Sequence, residues 1–200
     1  MTVFRLLTTK EQQLSVAEEP GLLAAVGPFL RGGDKAGIAI NLLFELGRRE
    51  GGEFTVTARK CVAAIFDSSC FSSVKDMAET GITVVLLRKA WEVIWRVSRM
   101  EEERKKAMLD SAGMVALLLA GLKSEDDCIA ERASVTTRNL SCSAEVASDL
   151  LDSHPDLVKA LVLLISTSGV GMRFMRKSQL TLSLSHSYSL VSILIHPPSF

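Results

Sequence analysis

Residues 90–122 of this chain lie over residues 133–165 at one constant offset of 43, without a gap. Ala90 falls on Ala133, Val97 on Leu140 and Ser98 on Ser141. Met108 then lands on Leu151, Met114 on Leu157, Val115 on Val158, Leu118 on Leu161 and Leu122 on Ile165. Unrelated amphipathic helices do not hold one register over such a length, whereas copies of a unit must. A period near 43 is that of two- and three-helix solenoid units, which bury their apolar faces only against neighbouring units. The register therefore predicts an all-α stack.

The units have readable physics. Residues 101–110 read as a short charged helix, with Glu101/Lys105 and Glu102/Lys106 spaced for i,i+4 pairs. Gly113 permits a tight turn, and 114–122 are apolar nearly all round, as a helix sandwiched between neighbours must be. Lys123-Ser124-Glu125-Asp126-Asp127 interrupts the run, and its serine and acids suit the start of a helix reaching Ser141. The order then resumes: a helix over 144–152, a turn at His154-Pro155 with proline in the next first turn, and an apolar helix over 157–165.

Composition removes whole classes of function. The chain is 48% hydrophobic and 23% charged, too apolar for disorder, and its 23 basic and 23 acidic side chains cancel, so no basic surplus points to nucleic acid. Cysteines at 61, 70, 128 and 142 and histidines at 154, 186 and 196 have no zinc-ligand spacing. Cys61, Cys128 and Cys142 lie on helical segments and are expected as buried small hydrophobes. There is no GxSxG, HExxH or GxxxxGK[ST], and Gly169-Val170-Gly171 follows a helical run rather than a strand, so no catalytic site, metal or cofactor is expected. The acidic triplets 101–103 and 125–127 sit at helix starts, where they complement the dipole. Leu30-Arg31-Gly32-Gly33 reads as a loop closing a helix, with Asp34 as the next cap.

No apolar run reaches the roughly 18 residues of a membrane span. The longest candidate, 180–195, is broken by five serines and a histidine. The first ten residues lack a secretory signal, which makes the expected location cytoplasmic or nuclear and leaves the Asn139-Leu140-Ser141 sequon without use. Residues 169–200 differ from the rest: seven serines, three basic groups, no acid and strand-like alternation over 181–195. The expected organisation is a helical repeat domain over 10–168 and a Ser-rich tail over 169–200. That tail reads as a flexible end, as a stretch foreign to the domain, or as a makeshift cap on the last helices.

Asp110-Ser111-Ala112-Gly113-Met114, the run to Leu122, and Ala133 with Arg138-Asn139-Leu140-Ser141 resemble the armadillo repeat. An earlier copy is visible in Glu18-Glu19-Pro20-Gly21-Leu22, the run to Leu30, and Ala39 with Phe44-Glu45-Leu46-Gly47. The resemblance covers roughly 10–168 and implies a right-handed α-solenoid of three to four irregular armadillo-like repeats with an irregular C-terminal tail. The middle departs from the pattern. Glu79-Thr80-Gly81-Ile82 looks like a turn into a second helix, yet only 18 residues run from Gly81 to Ser98, against 29 from Gly113 to Ser141. One helix is therefore expected to be missing there, with 82–99 as a single fused helix.

In armadillo proteins an asparagine near the end of the third helix bonds the backbone of an extended peptide, and a tryptophan one turn earlier forms side-chain pockets. Carried over by position, the first role falls to Asn139, with Arg96 and Glu45 in its place in the other units, and the second to Val135, Glu92 and Asn41. Arg138 stands beside Asn139. The Trp/Asn ladder of the importin-α type is lost, so the resemblance implies an interaction module that binds a protein or peptide along its concave face, with Asn139 an exposed amide. Trp91 and Trp95, four apart on one helical face, either pack between repeats or offer an aromatic anchor. The second functional reading is a fragment of a larger adaptor or regulator, of ubiquitin-ligase or vesicle- or vacuole-tethering type. Expected partners exclude nucleic acid and membrane insertion, and an uncapped C-terminal repeat would allow self-association.

Overall fold

A computed structural model of the chain describes residues 9–19, 21–47, 55–81 and 83–167. Within them lie eleven α-helices and no strand: α1 Lys10–Glu18, α2 Leu22–Leu30, α3 Ala36–Leu46, α4 Val56–Asp67, α5 Cys70–Thr80, α6 Val84–Val97, α7 Glu102–Asp110, α8 Met114–Leu122, α9 Asp127–Ser141, α10 Ala144–Ser153 and α11 Pro155–Thr167. The Ser-rich tail expected over 169–200 lies outside the described residues.

Helices three places apart pack on one another along most of the chain described. α2 packs on α5, α5 on α8 and α8 on α11; α3 packs on α6 and α6 on α9; α1 packs on α4 and α7 on α10. Arg104 of α7 reaches Asp67 of α4 at 3.1 Å and links that outer row. The arrangement is compatible with an α-solenoid. None of the helices is long and apolar enough to cross a membrane.

Local chemistry sets the helix starts. Thr9 and Gln12 form a capping box on α1, and Thr55 and Thr83 accept the Ala58 and Leu86 amides at the starts of α4 and α6. Asp126 accepts from the amides of Cys128 and Ile129 at 3.0 and 3.2 Å, which opens α9 where the acidic run implied. Gly21 and Gly113 precede α2 and α8 with φ of 82° and 79°, a left-handed turn that a β-carbon would strain. Leu30 is the last residue of α2, and Arg31, Gly32 and Gly33 fall in the loop before α3, although the residue before α3 is Lys35 rather than Asp34.

The 43-residue register predicts burial well. Ala90, Val97, Leu118, Ala133 and Leu140 are wholly inaccessible, and Leu161 is half-buried. The missing helix is not found. α6 does run unbroken through the segment expected to fuse, but α4 and α5 both precede it, and Gly81 stands before the third helix of its group instead of the second. The reason is composition. α2 and α8 are apolar nearly all round, whereas α5 carries Ser72, Ser73, Lys75 and Asp76 among its buried Phe71, Val74, Met77 and Ala78, and so does not look like a second helix.

Two smaller expectations also fail. Cys61 and Cys70 are buried, but Cys128 and Cys142, at the two ends of α9, are exposed, while Ile129, Ala130 and Leu140 beside them are buried. Burial pushes the Cys61 thiol up to about 11. The i,i+4 pairs on α7 give way to i,i+3 contacts, Arg104–Glu101 at 3.2 Å and Lys105–Glu102 at 3.6 Å. Lys106 turns the other way, to Asp110 at 2.6 Å and Asp149 of α10 at 2.7 Å, where two carboxylates replace one.

The tightest packing lies at Gly121. A β-carbon there would stand 2.5 Å from the Trp91 ring and 2.8 Å from Ala133 Cβ. Gly121→Ala is therefore expected to lower stability by about 1–3 kcal/mol through overpacking, read as a melting temperature several degrees lower. An unchanged melting temperature would show that α8 and α9 are not pressed together through Trp91.

Candidate functional site

The third helix of each group carries the candidate positions. Gly37 and Leu86 come together near the starts of α3 and α6, and Phe44 and Arg96 near their ends, so the two helices run side by side in the same sense. α9 continues the row beyond α6. Asn41 and Glu45, Glu92 and Arg96, and Val135 and Asn139 thus occupy corresponding turns of three neighbouring helices.

Much of this polar equipment ties the helices to one another. Lys89 Nζ donates to Asn41 Oδ1. Arg96, 7% exposed, donates to the carbonyl of Phe44, lies 3.7 Å from the centre of its ring and pairs with Glu92 at 3.4 Å. Glu92 is shared with Arg132 of α9 at 2.5 Å, and Arg132 in turn lies 4.5 Å from the centre of the Trp95 ring. Arg88 binds the Asp126 carboxylate at 2.9 Å, joining α6 to the cap of α9. At the far end Asn139 Nδ2 donates to Ser98 Oγ at 3.0 Å, and Ser98 itself donates to the Trp95 carbonyl at 2.7 Å.

The expectation of an exposed Asn139 amide therefore does not hold. Asn139 is half-buried, bonded to α6 through its nitrogen and reached by Arg138 at 3.4 Å through its oxygen. Val135 is buried, Arg138 half-buried, and burial lowers the Arg138 pKa from its ordinary value. Asn41, Glu45 and Glu92 are half-buried. Trp91, 1% exposed, packs against Gly121 and Ala133 and offers no anchor; Trp95 is covered to 9% exposure, with Arg132 and Arg99 beside its ring.

Beside this row, an open polar cleft of about 860 Å³ lies between the ends of α6 and α9 and the start of α7, with Ser98, Arg99, Glu101, Lys105, Asn139 and Cys142 on its walls. Among the described residues no group of three or more His, Cys, Asp or Glu side chains is placed to hold a metal ion. Arg132 and Lys89 do not stand out in the sequence, and Ser98 does so only as a position of the repeat. Arg132 and Lys89 stand seven residues before Asn139 and Arg96, two helical turns along the same face, so the spacing alone would have found them.

No family model, curated protein or solved structure matches this chain.

Two predictions follow from the ties. Asn139→Ala removes one half-buried hydrogen bond and leaves Ser98 Oγ without its donor, so it is expected to cost about 1 kcal/mol, measured by denaturant unfolding; no cost would make the amide a surface group. Arg88 holds the Asp126 carboxyl below the ordinary carboxylate range, and Lys106 does the same for Asp149. Carboxyls whose pKa is lower folded than unfolded add stability above their unfolded pKa of about 4, and that stability is lost as pH falls through the folded value. Melting temperature should accordingly fall below about pH 4, and less steeply in Arg88→Ala, which returns Asp126 toward its ordinary pKa. An equal slope in both proteins would remove the Arg88–Asp126 pair from the acid response.

Proposed function

We propose that the chain is a non-catalytic interaction module, a right-handed armadillo-like α-solenoid of three to four repeats that binds an extended segment of a partner protein along the concave face formed by α3, α6 and α9. One observation carries the reading: helices three places apart pack in rows, which sets Asn41/Glu45, Glu92/Arg96 and Val135/Asn139 at matching turns of adjacent helices. Rows of this kind present a long rigid surface, and such surfaces serve binding. A cytoplasmic or nuclear location agrees with a partner of this sort.

The charge order along the row specifies the partner. Glu45 on α3 gives way to Glu92 and Arg96 on α6, and to Arg132 and Arg138 on α9. A segment crossing the three helices meets acid first and base last. It therefore carries basic residues toward α3 and acidic ones toward α9, and a uniformly charged peptide fits poorly.

A peptide selected against the full chain from a random display library tests this. Glu45→Lys and Arg138→Gln are each expected to weaken its binding at least about tenfold, near 1.4 kcal/mol, while Val56→Ser, at the exposed start of α4, leaves it unchanged. Binding that ignores both row substitutions, or that moves with Val56, overturns the reading.

A further inference from the structure

A cavity of about 190 Å³ lies where the ends of α2 and α5 meet the starts of α3 and α6, and none of the row positions lines it. Its floor is apolar: Leu30, Ala36 and Met77 are buried and Leu86 is half-buried. Gly32 and Gly81 set bare backbone along its walls, and a side chain at either would be strained. Gly32 has φ of 131°, and a β-carbon on Gly81 would stand 2.6 Å from the Met77 carbonyl oxygen.

Two opposite charges also line the cavity, Arg31 and Asp76. A β-carbon on Gly27 would lie 3.3 Å from Ser73 Oγ, which fixes the sides on which α2 and α5 face each other. Arg31 follows Gly27 by four residues and Asp76 follows Ser73 by three, so both stand one turn on, along those facing sides. Both are exposed, and neither forms an ion pair among the described residues. Lys75, next to Asp76 in the chain, is directed to the Ala112 carbonyl at 2.6 Å. Thr80 Oγ1 donates to the Asp76 carbonyl at 2.8 Å, which leaves its lone pairs free to accept.

Size and charge together narrow the occupant. The cavity is smaller than the roughly 300–1,000 Å³ of sites for drug-sized ligands, so what fits is a small molecule. An anion alone would set like charge beside Asp76, and a cation alone would do so beside Arg31. Either would also leave the apolar floor uncovered. A zwitterion with an apolar side chain answers all three features.

We propose that the cavity binds a free α-amino acid with an apolar side chain. Its carboxylate takes the Arg31 guanidinium, its ammonium lies between the Asp76 carboxylate and Thr80 Oγ1, and its side chain covers Leu30, Met77 and Leu86. The site is separate from the row proposed for a partner segment, and either can fail without the other.

Isothermal calorimetry of the full chain with L-leucine, L-isoleucine, L-valine and L-methionine in turn tests this. At least one is expected to bind once per chain. The amide of that amino acid, which lacks the carboxylate, and its deaminated acid, which lacks the ammonium, should each bind about tenfold more weakly or worse. Arg31→Gln and Asp76→Asn should each weaken the amino acid itself by a similar factor, with far-UV spectra unchanged because both residues are exposed. Lys159→Gln, on α11, leaves binding as it was. Absence of saturable binding by all four overturns the proposal. So does binding that ignores both Arg31→Gln and Asp76→Asn, which places the amino acid elsewhere. An N-acetylated amide that binds as well as the free amino acid also overturns it, and assigns the cavity to a single side chain of a protein partner.

Discussion

The indole of Trp91 reaches from α6 into the seam between α8 and α9, where Gly121 leaves the space that any β-carbon would fill and Ala133 closes the other side. Three helices from two neighbouring groups meet at this point. Because α8 is apolar on every side, it needs such a neighbour on each flank, and α5 and α11 supply the remaining cover. The same rule of local contact holds among the described helices. Each described helix is held by helices a few places away, so that the core from Ala17 to Leu157 is built up step by step along the stack. Stability is therefore distributed along the stack, and a lesion such as overpacking at Gly121 acts first on the units that touch it.

The polar face follows from the same constraint. Setting α3, α6 and α9 side by side brings half-buried charges together, and each must find a partner or raise the cost of folding. Arg96 answers with the Phe44 carbonyl and ring, Glu92 with two arginines, and Asn139 with Ser98. Residues that the armadillo resemblance would assign to a bound peptide are in this way engaged between helices. Pre-engagement has a consequence for binding. A partner gains only what exceeds the bonds it displaces, but it meets side chains already held in one geometry, so it loses less to ordering them.

Legibility in the sequence varied with the kind of signal. The constant offset placed Ala90, Val97, Leu118, Ala133 and Leu140 in the core because those positions have neighbours in every unit. It failed at α5, whose mixture of Ser72, Ser73, Lys75 and Asp76 hides an ordinary second helix behind an amphipathic pattern. Glycine was a sound marker at Gly21 and Gly113, where the backbone turns left-handed, and a misleading one at Gly81, where the turn leads into a third helix. Side-chain partners were least legible of all. The choice of Asp149 by Lys106, or of Ser98 by Asn139, joins residues about forty positions apart and depends on distances that only packing fixes.

A stack built from local contacts has no intrinsic end. Among the described residues α5 and α8 have a row neighbour on both sides, whereas α2 and α11 have one on a single side. Apolar side chains on the outer flank of α2 are what an inner helix of this row would carry. Phe29 is 46% exposed, so covering it contributes about half of the roughly 1.5–3 kcal/mol that a fully exposed side chain gives. That gain competes with the entropy of joining two molecules, which is several times larger. Several such residues must act together before a contact persists, and Leu22, Phe29 and Ile38 lie on two adjacent helices of one end, where they can do so. The polar row across α3, α6 and α9 and the apolar flank of α2 are then two results of one geometry, the first formed across the rows and the second along them.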